Sequence, residues 1–331
     1  MSEVPFRWLT DPERPAWEAF AKACGAGLFA SGAWLEAMAR AGVETRIAVC
    51  ERGGAISGGA VFAARRRLGV RMLLPLPLTA YQGPWLLPRG VEDPAREERH
   101  AEEVLRTLAR GIGKGCDRVQ MLCPPSLWDL RALLREGWKA QPRYTYLLGL
   151  DPAKAWLERM SPDVRRRARL AQEGGLRTWD STDWEGFHRL WSASLTHQGA
   201  PVCFGPAAFS ALCGDLQERG LLSLRMAGPD PGQAWFAAAA LTDGPDAYYW
   251  VAGALREHAA SGGNQLLMLS LCEALASRGI GRFDLVGGDL EGVGAYKRSL
   301  GGTLVLHFQA AKDVTALGRL AALAERAAWR A

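Results

Sequence analysis

One stretch near the C-terminal end, Tyr248 to Phe308, constrains the fold more than any other part of the chain. It reads as strand, helix, strand, glycine-rich turn, short helix, strand. Asp246-Ala-Tyr-Tyr-Trp-Val-Ala-Gly253 has the aromatic and β-branched content of a half-buried strand. Asn264 is placed to cap a helix running to Arg278, and Gly279 supplies the left-handed residue that ends it. Arg282 to Val286 alternates as a strand does. Gly287-Gly-Asp-Leu-Glu-Gly-Val-Gly294 follows, then Ala295-Tyr-Lys-Arg-Ser-Leu-Gly-Gly302 and a strand from Thr303 to Phe308.

The rest of the chain repeats that rhythm. A helix from about Pro15 precedes one capped by Ser31, with Trp34, Leu35 and Met38 on one face. Strands Thr45–Cys50 and Ala55–Ala64 flank Glu51-Arg-Gly-Gly54, a hairpin signal. Val70–Leu78 is strand-like, and Glu97–Gly113 is a helix with Glu and Arg outside. A strand at Arg118–Cys123, a helix at Leu127–Glu136 and a strand at Thr145–Leu150 complete a mixed α/β unit. Asp151-Pro152 marks a boundary. Beyond it, Ser161-Pro162-Asp163 opens a helix whose apolar face is Val164, Ala168 and Ala171. Arg165, Arg166, Arg167 and Arg169 then face outward. Helices at 183–195 and 209–219 and strands at 221–226 and 233–241 follow, and Asp313–Arg330 reads as an amphipathic helix.

A chain of 331 residues predicts two domains. We place them at residues 1–150 and 151–312, with the helix at 313–331 packing back on the first. With 48% hydrophobic and 23% charged residues, both can bury a core. The formal charge of +5 permits an anionic substrate or nucleic acid without requiring one. Seven scattered cysteines with no Cys-x-x-Cys pair point to a reduced, cytoplasmic chain. Five histidines without ligand spacing predict no metal site. The N-terminal residues have no signal-peptide core, and Met72–Pro88 is broken by prolines, so no membrane span is expected.

The order Tyr-Tyr-Trp-x-x-Gly, Asn-Gln-Leu-Leu, Gly-x-x-x-Phe-Asp, Tyr-Lys-Arg-Ser-Leu-Gly-Gly resembles the second half of the Fem-type aminoacyltransferases, and of the wider GNAT-like acyltransferases with the same tandem fold. Phe29-x-Ser31-x-x-Trp34-Leu35, Gly83-Pro84 and the Ser161 helix resemble further Fem-type segments. The resemblance implies two tandem GNAT-like domains, each a mixed, mostly antiparallel sheet flanked by helices. It also implies acyl transfer to an amine. His197 stands where relatives often carry a phosphate-binding arginine, which would make phosphate binding there weaker or pH-dependent.

Such a reaction needs charge opposite a tetrahedral oxyanion. Lys297, after Tyr296 on the short helix, is the candidate for that charge or for a donor phosphate, and Tyr296 is a candidate for binding substrate. Asp284 is the candidate for positioning an amine or orienting a neighbour. Tyr249 and Trp250 are adjacent strand residues, so one of them should face the cleft and the other the core. Tyr81 belongs to a loop that the resemblance puts near the acceptor, with core packing as its alternative. Arg165, Arg166 and Arg169, with Asn264, are candidates for holding donor phosphates, and Arg65-Arg-Arg67 is a second basic cluster. Arg256-Glu-His-Ala-Ala-Ser-Gly-Gly-Asn264 sits where CoA-dependent relatives hold a pyrophosphate, but its spacing departs from theirs. Three functions remain. The first is transfer from aminoacyl-tRNA to an amine of a peptidoglycan precursor or small metabolite. The second is acyl-CoA-dependent N-acylation related to the cell envelope or exopolysaccharide. The third is a non-catalytic module binding RNA or an anion.

Overall fold

The computed structural model describes residues 4–151 and 153–328. They form two compact units: the residues up to Arg143 together with those from Leu306, and Tyr144–Val305.

The first unit begins with strands β1 (Phe6–Trp8), β2 (Thr45–Arg52), β3 (Ala55–Arg67), β4 (Val70–Leu74), β5 (Trp85–Leu86) and β6 (Arg118–Cys123). Its helices are α1 (Arg14–Ala23), α2 (Gly32–Arg40), α3 (Pro94–Ile112) and α4 (Arg131–Arg135). Local chemistry sets their limits. The Ser31 hydroxyl accepts the Trp34 N–H at 3.2 Å and starts α2. Asp93, with Pro94 behind it, starts α3. Gly53 and Gly54, at φ of +60° and +83°, turn β2 into β3. That hairpin outruns its predicted end, because β3 continues through Arg65–Arg67 and pairs with β4 there. The expected helix at Leu127–Glu136 shrinks to α4.

The second unit contains β7 (Lys139–Gly149), whose first residues belong to the first unit, then β8 (Arg177–Asp180), β9 (Leu222–Gly228), β10 (Phe236–Asp243), β11 (Asp246–Ala254) and β12 (Arg282–Asp284). Helices α5 (Trp156–Arg159), α6 (Pro162–Glu173), α7 (Trp184–His197), α8 (Pro206–Glu218), α9 (Gly263–Ser277) and α10 (Glu291–Ser299) accompany them. The strand order is β7-β12-β11-β10-β9-β8. The pair β11–β12 is parallel, and α9 makes the crossover between them. Leu267, Leu271 and Leu275 of α9 pack with Phe236, Phe283, Leu148 and Trp156 in one core. Each such side chain contributes roughly 1.5–3 kcal/mol by leaving water.

The chain then returns to the first unit as β13 (Thr303–Asp313) and α11 (Ala316–Ala328). The sheet order there is β1-β2-β3-β4-β6-β13, with β5 on β3. The helix expected from Asp313 starts later. Asp313 still pairs with Arg118 in the β13–β6 ladder, and the Thr315 hydroxyl takes the Gly318 N–H to open α11. The last residues of that expected helix lie outside the described ones. No described helix is long and apolar enough to cross a membrane.

Two features of β11 shape the region near its end. The register against β10 slips between Ala239, opposite Val251, and Ala240, opposite Tyr249, so Trp250 is an extra, bulged residue. At Gly253, a Cβ would lie 2.3 Å from the Leu190 carbonyl carbon and the Trp191 nitrogen of α7. Backbone on both sides leaves nothing that can yield. Gly253→Ala should therefore cost about 2–3 kcal/mol in urea unfolding, as overpacking of a core does. Gly281→Ala, where a Cβ meets nothing within 4 Å, should be close to neutral. Equal stability of the two variants would contradict this packing.

Candidate active site

The site is built on the turn that leaves β12. Asp284, the last residue of that strand, is 5% exposed. Its Oδ1 accepts the hydroxyl of Thr145 at 2.5 Å and the N–H of Val286 at 2.9 Å. Val286 has φ of +44° and Gly287 φ of +73°. A β-branched residue rarely adopts that left-handed conformation. It turns both carbonyls to one side, where the Lys297 ammonium donates to Val286 O and, at 2.6 Å, to Gly287 O. The backbone N–H groups of Gly287 and Gly288 have no partner among the described residues.

Glycines let α10 close over this turn. A Cβ on Gly294 would sit 2.8 Å from Gly288 O, and one on Gly288 would press on the Tyr146 ring and Tyr144 O. The glycine-rich run is thus spent on close backbone packing, and Lys297, three residues further on, is delivered to the turn carbonyls. Lys297 is 6% exposed and 5.8 Å from the centre of the Tyr249 ring. Two of its three hydrogens are held, and the third has no partner among the described residues. Burial pushes the Lys297 ammonium down to about 8, against the opposing pull of Asp284 and Asp289. Tyr249 and Tyr296 are both pushed upward by burial, so they remain neutral phenols. Tyr296 donates to Asn264 O at 3.3 Å and ties α10 to α9.

The structure therefore gathers Lys297, Asp284, Tyr249 and Tyr296 in one place. Trp250 belongs elsewhere: the bulge puts it on the α7–α8 side, stacked on Phe209 at 6.0 Å. Asn264 does not cap α9. Gly262, at φ of +80°, is the capping residue, and the Ser261 hydroxyl accepts the Gly263 N–H at 3.2 Å. A Cβ on Gly262 would sit 2.5 Å from Arg167 O, and one on Gly263 would sit 2.2 Å from the Phe236 ring. The helix starts two residues early because only this glycine pair fits between α6 and β10.

His197 is exposed at the end of α7, with Nδ1 3.4 Å from an Arg256 nitrogen. Arg165, Arg166 and Arg169 are exposed on α6, where Arg166 pairs with Asp163 at 2.7 Å and Arg169 with Glu173 at 3.6 Å. Tyr81, in the first unit, is 7% exposed, edge-on to Phe29 and His307. Sequence reasoning missed Thr145, Tyr146 and the left-handed Val286. Thr145, fully buried, had no signal, because its partner Asp284 is distant in sequence. No group of His, Cys, Asp and Glu able to hold a metal ion occurs among the described residues.

A depressed lysine pKa fixes a sign for stability. Between pH 8 and about 10.4, the unfolded chain keeps the Lys297 proton that the folded chain has lost, so stability rises with pH across that window. Lys297→Met removes this dependence. From pH 8 to 9.5, wild type should gain about 1.6 kcal/mol relative to the variant in urea titrations. Parallel curves for the two proteins would place the pKa at its ordinary value.

Residues 159–298 match the family model described as acetyltransferase (GNAT) domain. Comparison with curated protein sequences gives no match. Among solved structures, FemX is 14% identical, with 92% of this chain and 97% of that chain covered at a TM-score of 0.62. L-PGS from Bacillus licheniformis is 13% identical, with 100% and 99% covered at 0.55. A tandem GNAT protein from the clavulanic acid biosynthesis pathway is 14% identical, with 95% and 99% covered at 0.54. At these identities the likeness is one of fold, and it extends along the chain on both sides of the matched segment. Residues 159–298 are thus similar to a GNAT acetyltransferase domain, in a chain whose fold is that of FemX and of the tandem GNAT protein.

Proposed function

We propose that the protein transfers an aminoacyl group from aminoacyl-tRNA to the amine of a peptidoglycan precursor or small metabolite. The observation that carries this reading is the buried Lys297 ammonium, held on two carbonyls with one hydrogen unspent. The acceptor amine attacks the ester carbonyl carbon. A C–N bond forms, the carbonyl oxygen gains negative charge, and Lys297 stabilises it. Collapse breaks the C–O bond to the terminal ribose, and the proton lost by the amine ends on that ribose oxygen. Asp284, fixed by Thr145 and the Val286 N–H, positions the amine.

The α9 N-terminus supports aminoacyl-tRNA over acyl-CoA as donor. Gly262 and Gly263 answer to packing against Arg167 O and Phe236, and Ser261 already takes one of the N–H groups that a pyrophosphate would need. The resemblance of the sequence to the Fem-type aminoacyltransferases favours the same donor.

Purified protein titrated with bulk charged tRNA and with CoA, each over a range of salt, tests the donor. Salt-sensitive tRNA binding without saturable CoA binding is expected. Saturable CoA binding without tRNA binding would replace the donor with acyl-CoA. With the donor in hand, Lys297→Ala should lower kcat by roughly 10²–10³-fold, as loss of one oxyanion donor does. Wild-type kcat should fall as pH rises through about 8, where Lys297 loses its charge. A variant with undiminished kcat would remove Lys297 from the chemistry.

A further inference from the structure

We infer that the first unit carries a second, separate anion site, a pocket that takes the phosphate groups of a ligand. The cavity, about 230 Å³, lies where β2, β3 and β4 run out past the C-terminal end of α3. Arg46, Arg65, Arg66, Arg71 and Lys114 line it, with Glu44 as the one carboxylate among the lining residues and Trp8 at its wall.

The β ladder explains how these cations meet. Arg66 and Arg71 are directly opposed across β3 and β4. Arg46 pairs with Phe62, and residues 62, 64 and 66 share a face of β3, so Arg46 stands on the same side as Arg66. The inner part of that face, Phe62 and Leu73, is covered by Leu105, Leu108 and Ile112 of α3. Beyond Ile112 the helix ends, and the same face presents guanidinium groups. Like charges directly opposed across a ladder are destabilising.

The cations are also unspent. Several exposed arginines elsewhere are matched with carboxylates, as Arg131 is with Asp129 and Glu98 and Arg282 is with Asp246. In the pocket only Arg71 has such a partner, Asp117 at 3.3 Å. Arg46, Arg65, Arg66 and Lys114 have no carboxylate partner among the described residues. Arg46 lies with its guanidinium carbon 4.2 Å from the centre of the Trp8 ring, which fixes its plane and leaves its N–H groups free. The carbonyl end of α3 accounts for a cation at Lys114. It does not account for the opposed pair on the strands. A preoriented arginine beside others on a rigid sheet suits phosphate oxygens, which accept several charge-assisted hydrogen bonds at once. The ligand is either a small diphosphate-bearing molecule or the phosphodiester backbone of RNA. The inference is independent of the proposed reaction and uses no residue of its site.

The test uses the full chain and two probes, inorganic pyrophosphate in calorimetry and an unacylated single-stranded RNA in anisotropy over a range of salt. Two variants are compared with wild type: Arg46→Gln with Arg66→Ala, and Arg65→Ala with Lys114→Ala. All four positions are exposed, and the Arg71–Asp117 pair is left intact. Unchanged thermal unfolding checks the fold. Saturable pyrophosphate binding, weakened about tenfold or more in both variants, identifies a small phosphate ligand. RNA binding without pyrophosphate binding, with a salt slope reduced by about 1.4 for two lost contacts, identifies a nucleic-acid backbone. Binding of neither probe by wild type, or binding that both variants keep, overturns the site.

Discussion

A single left-handed residue holds the second unit's site in shape. Val286 pays a backbone cost of about 1–3 kcal/mol for its conformation. That conformation separates the polar ends of successive peptides. The N–H of Val286 goes to Asp284, and the carbonyls of Val286 and Gly287 go to Lys297. The carboxylate and the ammonium therefore brace one turn from two sides. Neither is in place without the other, because each satisfies backbone groups that the turn would otherwise leave without partners in a half-buried place. Gly288 and Gly294 then let α10 lie against the turn, which is what makes Lys297 long enough to reach it.

The bracing has an electrostatic side. An ammonium on two consecutive carbonyls draws electron density along those peptides, and the N–H groups at their other ends become better donors. The positive charge of Lys297 is spread into the backbone of the turn as well as offered at its third hydrogen. Its burial makes the charge conditional on pH, since desolvation already opposes it.

Most elements of the fold were legible in the sequence because their signals are local. Ser31 and Ser161 cap the helices they should, and Gly53-Gly54 makes the hairpin. The strand, helix, strand, turn and short helix from Tyr248 onward stand where alternation and periodicity put them. Failures came where a distant partner decides. Asn264 has the chemistry of a cap, but α6 and Phe236 demand glycine at the helix start, so Gly262 takes that role. Trp250 follows Tyr249 on a strand, and the bulge against Ala239 and Ala240 decides which helices it meets. Asp284 and Lys297 were legible as chemical types, whereas Thr145 is 139 positions from the carboxylate it orients and carries no local mark. Arg65–Arg67 read as a basic cluster just past a strand, yet the ladder to β4 makes them part of a sheet face.

The route of the chain has a consequence for how the protein is made. Residues 144–305 form one compact unit and lie, in sequence, inside the first unit, whose sheet still awaits β13. During synthesis the ribosome finishes the inserted unit first. Until Phe308–Asp313 emerges, β6 has no neighbour on that side and offers an open row of peptide groups to any passing strand. The first half of the chain, although made earliest, closes its sheet late. That order sets the interval in which a nascent chain most needs protection from pairing with another copy of itself.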